Sequence, residues 1–206
     1  MENIDYKDFI DICQTGDILL YSSRCWYSYI IETLGWSKYS HVSIIIRDSS
    51  KNELYIFESG GENVNDVIKD KNIFGVQLIK LEDALKVYQS DSNGYVYYVK
   101  NNFERTEEFN QKIKQIILDT DGKPYDLHLI DWIGARFNLK TIKRESIRFF
   151  CSALVAYTFT LLNFLSDDTD WTIVSPREYS YYEKSRLKFI NCDLEPERLI
   201  QNILIH

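Results

Sequence analysis

Three side chains in this sequence are of the types that thiol acyl transfer needs: a cysteine to attack, a histidine to take its proton, and a carboxylate to orient the histidine. Cys151 stands in Arg-Phe-Phe-Cys-Ser-Ala-Leu-Val, at the expected start of an apolar helix. Unpaired N–H groups and the dipole at a helix N-terminus stabilise an anion, so a thiol placed there can be held as thiolate. The backbone amides of Cys151 and Ser152 would help to bind an oxyanion at the same place. Against this stands the ordinary role of a free cysteine, that of a small buried apolar residue.

His41 opens a strand-like run, Ser-His-Val-Ser-Ile-Ile-Ile, and is one of only 3 histidines in the chain. If the loop of the following hairpin is centred between Ser49 and Ser50, His41 lies directly opposite Glu58. The two then share one side of the sheet, with Cβ atoms about 5 Å apart. A carboxylate so placed accepts from one imidazole nitrogen, which fixes the tautomer and aims the other nitrogen at a thiol. A slip of one residue would put them on opposite faces. The plainer alternative is a cross-strand charge pair without catalytic meaning.

The elements that must hold these residues are legible in outline. Strands are expected at Asp17 to Tyr21, His41 to Arg47, Leu54 to Glu58, Val76 to Leu81 and Tyr95 to Lys100, with a polar hairpin loop, Arg-Asp-Ser-Ser-Lys-Asn, between the second and third. Short helices are expected over residues 25–34, ending at Gly35, and over Glu82 to Tyr88. Thr106 can cap a helix carrying Glu107 and Glu108 in its first turn, with Phe109, Ile113, Ile116 and Ile117 on one face. Asp121-Gly122-Lys123-Pro124 breaks the chain, and a further helix is expected over Leu127 to Phe137. Cys151 to Leu165 is apolar almost all round, the pattern of a helix buried on most sides. The fold class is therefore α+β: a small antiparallel sheet followed by helices.

Bulk properties narrow the functional classes. With 206 residues, 45% hydrophobic and 27% charged, the chain has the composition of a single folded domain, 1–206, with its core over about 16–180. A net charge of −7 without a dense Lys/Arg block disfavours nucleic acid. The polar, acidic N-terminus and the lack of a long apolar run predict a cytoplasmic protein with no signal peptide or transmembrane segment, leaving only peripheral membrane contact open. Cys13, Cys25, Cys151 and Cys192 form no C-x-x-C pair, so neither a zinc site nor a disulfide framework is expected, and no cofactor is called for. Ser166-Asp167-Asp168-Thr169-Asp170 lacks the spacing and glycine of a calcium loop and reads as solvated. The aromatic run Trp26, Tyr27, Tyr29, Ile30 and Trp36 reads first as packing, and second as a groove for an acyl chain.

Several short motifs occur in one order: Gly16-Asp17-Ile18-Leu19, Ser40-His41-Val42, Phe57-Glu58-Ser59, Gly122-Lys123-Pro124-Tyr125-Asp126, Phe150-Cys151-Ser152-Ala153-Leu154-Val155-Ala156-Tyr157, and Ser175-Pro176. The series resembles the permuted, YiiX-like branch of the NlpC-type papain-like hydrolases, which has members in bacteria and large DNA viruses. Papain-like enzymes normally carry the cysteine helix first, whereas here the order is His, Glu, Cys. The resemblance implies a circularly permuted papain-like fold with a small sheet or barrel packed on helices and Cys151 at the N-terminus of the central one. It implies amide or ester hydrolysis through an acyl-enzyme, with Cys151, His41 and Glu58 catalytic and Tyr125 bordering the site to touch substrate or oxyanion. Tyr125 reads equally as a turn residue after Pro124. One departure is Ala153, where many relatives carry Glu.

The substrate class stays open among a peptide or aminoacyl amide, another small molecule, and a lipid ester. A rival is an acyltransferase or phospholipase of the lecithin:retinol acyltransferase-like type, whose Asn-Cys-Glu-His-Phe signature is replaced here by Phe-Cys-Ser-Ala-Leu. A second rival is a catalytically inactive module that binds a partner on the same fold. The sequence does not set the oligomeric state.

Overall fold

Apolar residues alternating across short β-branched and aromatic runs build the centre of the molecule. The computed structural model describes residues 1–22, 38–61, 63–92, 94–124 and 150–203. Along the chain these form β1 (Asn3–Asp5), α1 (Tyr6–Ile12), β2 (Ile18–Ser22), β3 (His41–Asp48), β4 (Glu53–Gly60), β5 (Asn65–Asp66), β6 (Lys71–Asn72), β7 (Gly75–Lys80), α2 (Leu81–Ser92), β8 (Tyr95–Val99), β9 (Asn101–Asn102), α3 (Glu107–Thr120), α4 (Cys151–Leu161), β10 (Asp193–Leu194) and β11 (Arg198–Gln201). Two 3-10 turns, Trp171–Ile173 and Pro176–Tyr179, lie between α4 and β10. The expected helices over 25–34 and 127–137, the aromatic run from Trp26, Cys25 and Tyr125 fall outside the described residues.

Seven strands make one sheet in the order β1-β11-β8-β2-β3-β4-β7. The expectation of a small antiparallel sheet or barrel is corrected on two counts. The sheet is open, with edges at β1 and β7 among the described residues. Its β1–β11 pair is parallel, although the other neighbours are antiparallel. The two strands that were not expected are the terminal ones, and they extend the sheet beyond β8. With three and four residues they are too short to display a period-2 pattern.

The β3–β4 hairpin also differs in register. Asp48 pairs with Glu53, so the loop is Ser49–Asn52 and its centre lies between Ser50 and Lys51. Asp48 holds this loop by accepting from the Ser50 N–H (2.9 Å) and hydroxyl (2.6 Å), and Asn52 takes the left-handed conformation at φ 53°. Ile44 thus faces Phe57, and His41 is not directly opposite Glu58. The shift is two residues of the partner strand, an even number, so both side chains keep the same face and become diagonal neighbours.

The sheet is covered on both faces. Ile18, Leu20, Val42, Ile44, Phe57, Val76 and Val99 pack with α3 and α4, while Leu19, Tyr21, Ile45, Ile56, Ile79 and Tyr98 pack with α1 and α2. Thr106 caps α3 by accepting from Phe109 N–H, and Phe109, Ile113, Ile116 and Ile117 are its buried stripe. α4 is buried over most of its length, as an all-apolar helix must be, but it stops at Leu161 rather than Leu165. Asn163 at φ 59° ends it, and Phe164 and Leu165 are buried beyond the helix, both amides turned back to Phe159 O.

One buried hub fixes the start of β2. Gly16, at φ +91°, turns the chain against the Phe103 ring where a side chain would not fit. Asp17 then accepts from Gln14 N–H (2.8 Å), Asn101 N–H (3.0 Å), Tyr98 O–H (2.7 Å) and Arg105 Nη2 (2.6 Å). No helix among the described residues is long and apolar enough to cross a membrane.

Candidate active site

Cys151 is the first residue of α4 and is 5% exposed. Phe150, the N-cap, contributes no side-chain capping bond, and the first turn closes with Leu154 N–H donating to Phe150 O at 2.9 Å. The amides of Cys151 and Ser152 therefore lie ahead of the helix's own hydrogen-bond ladder, where an anion is favoured. The helix start is pinned by its neighbour. The Ser152 hydroxyl donates to Val174 O (2.7 Å), and the Tyr179 hydroxyl donates to Ser152 O (2.8 Å). Pro176, at the first position of a 3-10 turn, sets Tyr179 in place and gives the Ser-Pro motif its structural meaning. Since the Ser152 hydroxyl is committed to Val174, what Ser152 can offer an oxyanion is its backbone N–H.

His41 is the first residue of β3, at the end of the sheet, and its side chain is 11% exposed. Its Nε2 lies 2.7 Å from Oε2 of Glu58, a carboxylate that is wholly buried. The other carboxylate oxygen, Oε1, accepts from Gln77 Nε2 at 3.1 Å. Gln77 is directly opposite Glu58 in the β4–β7 ladder and is itself buried. Tyr21, directly opposite His41 in the β2–β3 ladder, and Tyr88 of α2 flank the imidazole, with ring centroids 5.2 and 5.6 Å away. These two tyrosines stack on each other at 4.3 Å, and the Tyr21 hydroxyl shares a 2.9 Å hydrogen bond with Ser43.

The electrostatics at His41 oppose its burial. Burial alone would lower the imidazole's pKa, but the negative charges of Cys151 and Glu58, and hydrogen bonds to both, outweigh it and raise the pKa well above its ordinary value. Burial first of all pushes the thiols of Cys13 and Cys192 up, to about 11 and about 12. Among the described residues no group of three or more His, Cys, Asp or Glu could hold a metal ion.

Residues 12–169 match the family model described as "Permuted papain-like amidase enzyme, YaeF/YiiX, C92 family". The chain belongs to that family. The permuted papain-like amidases thus account for a chain order in which the histidine strand precedes the cysteine helix. An uncharacterized protein of Acanthamoeba polyphaga mimivirus is 28% identical over 218 residues, covering 97% of this chain and 85% of its own length. The chain also resembles a solved structure titled as the metalloprotein YiiX of Escherichia coli O157:H7, at 22% identity and a TM-score of 0.48, covering 71% of this chain and 64% of that one.

Of the residues singled out in the sequence, the structure brings His41 and Glu58 into contact and sets Cys151 at the helix start, where it interacts with His41. Tyr125 lies outside the described residues, but the chain leading to it is placed. Val76 N–H donates to Lys123 O and Gly122 N–H to Val76 O, both at 2.8 Å, and Pro124 bridges to Gly75. Gly75, at φ +154°, makes this docking possible, because a Cβ there would collide with the Lys123 carbonyl. Sequence reasoning passed over Gly75, Gln77, Tyr21, Tyr88 and Tyr179. For Gln77 a signal existed: a polar residue inside Gly-Val-Gln-Leu-Ile-Lys, in a strand otherwise apolar on that face.

Proposed function

We propose that this permuted papain-like amidase works as a thiol hydrolase through an acyl-enzyme, with Cys151 as nucleophile, His41 as general base and acid, and Glu58 as the group that orients and charges the imidazole. The observation that carries this reading is the buried 2.7 Å contact from His41 Nε2 to Glu58, made while the same ring interacts with Cys151. With Nε2 engaged, Nδ1 is the nitrogen left for the thiol. The imidazole, its pKa raised by Cys151 and Glu58, is then the proton partner that a sulfur nucleophile needs.

In the first half-reaction the Cys151 thiolate attacks the acyl carbon of an amide and a C–S bond forms. The oxyanion is met by the backbone N–H groups of Cys151 and Ser152. The C–N bond breaks as His41 gives its proton to the leaving amine. In the second half-reaction His41 takes a proton from water, hydroxide adds to the thioester carbon, and the C–S bond breaks to release a carboxylic acid and restore the thiolate. Tyr125 is assigned to substrate or oxyanion contact on the resemblance of its Pro-Tyr motif alone.

The test is the alkylation rate of each cysteine by iodoacetamide against pH, in the wild type and in His41→Ala. Cys151 alone should react fast below pH 7, and His41→Ala should remove that reactivity by about a hundred-fold at pH 6, the loss expected when a thiol returns to a pKa near 8.5. A Cys151 that titrates as an ordinary thiol and ignores His41 would sink the proposal and favour a binding module. Amine release from acyl amides, set against fatty-acid release from phospholipid vesicles, then separates amidase from lipid acyl hydrolase.

A further inference from the structure

Gln77 has no place in the chemistry just described, yet it is the residue the site's geometry explains best. It sits on the sheet face built from Ile45, Ile56 and Ile79, where a β-branched apolar residue would pack at lower cost. It is fully buried, and its carboxamide donates to Glu58 Oε1 at 3.1 Å from the directly opposed position on β7. Glu58 therefore has one oxygen on His41 and the other on Gln77. A carboxylate held at both oxygens cannot rotate about its last bond without losing one of them. The N–H donated to it also stabilises its negative charge at a fully buried position.

We propose that Gln77 is a positioning residue for the His41–Glu58 pair: it locks the plane of the carboxylate and keeps it charged, so that the imidazole is both aimed at Cys151 and held protonated. The role rests on the thiol-hydrolase reading, because without the Cys151–His41 pair there is nothing to position. In this role Gln77 acts on the thiol through Glu58. Its influence on the thiol must therefore depend on the Glu58 carboxylate, which a merely structural role would not require.

The experiment is a double-mutant cycle read by Cys151 alkylation against pH. Gln77→Met keeps the unbranched shape and removes the donor, and Glu58→Gln removes the charge that Gln77 serves. In the wild-type background Gln77→Met should cut the iodoacetamide rate of Cys151 at pH 6 by about ten-fold, the equivalent of one unit in the titration of the pair. In the Glu58→Gln background the same substitution should change the rate by less than about two-fold. Gln77→Asn, one methylene too short to reach Oε1, serves the same cycle if the Met variant does not fold. A wild-type profile in Gln77→Met, or an equal loss in both backgrounds, overturns the role while leaving the thiol-hydrolase reading intact. A wild-type Cys151 that already titrates as an ordinary thiol overturns both.

Discussion

Two buried carboxylates, one in the sheet and one at its entry, have opposite surroundings. Asp17, ahead of β2, accepts from two backbone amides, a tyrosine hydroxyl and an arginine, all fixed in place by the fold. Glu58, near the end of β4, accepts from one amide side chain and from an imidazole whose other nitrogen is still open to Cys151. Both are fully buried, so burial by itself does not separate structure from chemistry. The difference is in the partners. Donors fixed by the fold make a joint, and one that titrates near neutrality is what the proposed proton relay would need.

That contrast is sharpest when each region is broken separately. Replacing the proposed nucleophile, Cys151→Ala, should lower amide turnover by roughly a thousand-fold or more. It should cost only about 1 kcal/mol of stability, since little volume is removed. Turnover in a discontinuous amine-release assay and urea unfolding measure the two sides of this expectation. The reverse pattern belongs to Asp17→Ala, which leaves Arg105, Tyr98 and two backbone amides without their acceptor. A loss of about 3–5 kcal/mol is expected in urea unfolding, with the folded fraction still alkylating at Cys151 at the wild-type rate. If Asp17→Ala slowed alkylation of folded protein, the two regions would not be independent.

A third expectation concerns the joint that brings the Gly-Lys-Pro segment to the site. Gly75→Ala should cost about 1–3 kcal/mol through strain at a positive φ and collision with the Lys123 carbonyl. Faster amide hydrogen exchange at Val76 and Gly122, with β2 and β8 unchanged, would locate that loss at the docking. Uniform acceleration across the sheet would instead make Gly75 a residue of the global core.

What the sequence made legible follows the physics of each signal. Long β-branched runs such as His41 to Arg47, and the capped stripe of α3, announced themselves through period and cap. The pairing of His41 with Glu58 was readable because face, set by parity, survives a two-residue error in register, although direct opposition did not. β1 and β11 were invisible, being short segments whose strand character comes from pairing with each other and with β8. Gln77 and Gly75 were missed for a related reason. Their roles exist only relative to residues 19 and 48 positions away in the chain, and no local pattern carries that information.

The smallest expected effect is also the most specific, because it reads the proton itself. His41 has its pKa lowered by burial but raised by more through the charges of Cys151 and Glu58, to a value well above the unfolded reference. A histidine whose folded pKa exceeds its unfolded value adds stability that is fully present below about pH 6.5 and is lost as pH rises through the folded pKa. Urea stability should therefore decline on the alkaline side in the wild type. In Cys151→Ala and Glu58→Gln the decline should begin at lower pH, and more so in Cys151→Ala, where the larger of the two interactions raising the imidazole is removed. The imidazole carbon resonance of His41, followed by NMR through the same range, assigns the effect to this residue. Asp17→Asn, at the other carboxylate, should leave the His41 titration where it was. A shared shift would mean that the joint and the relay are one electrostatic unit.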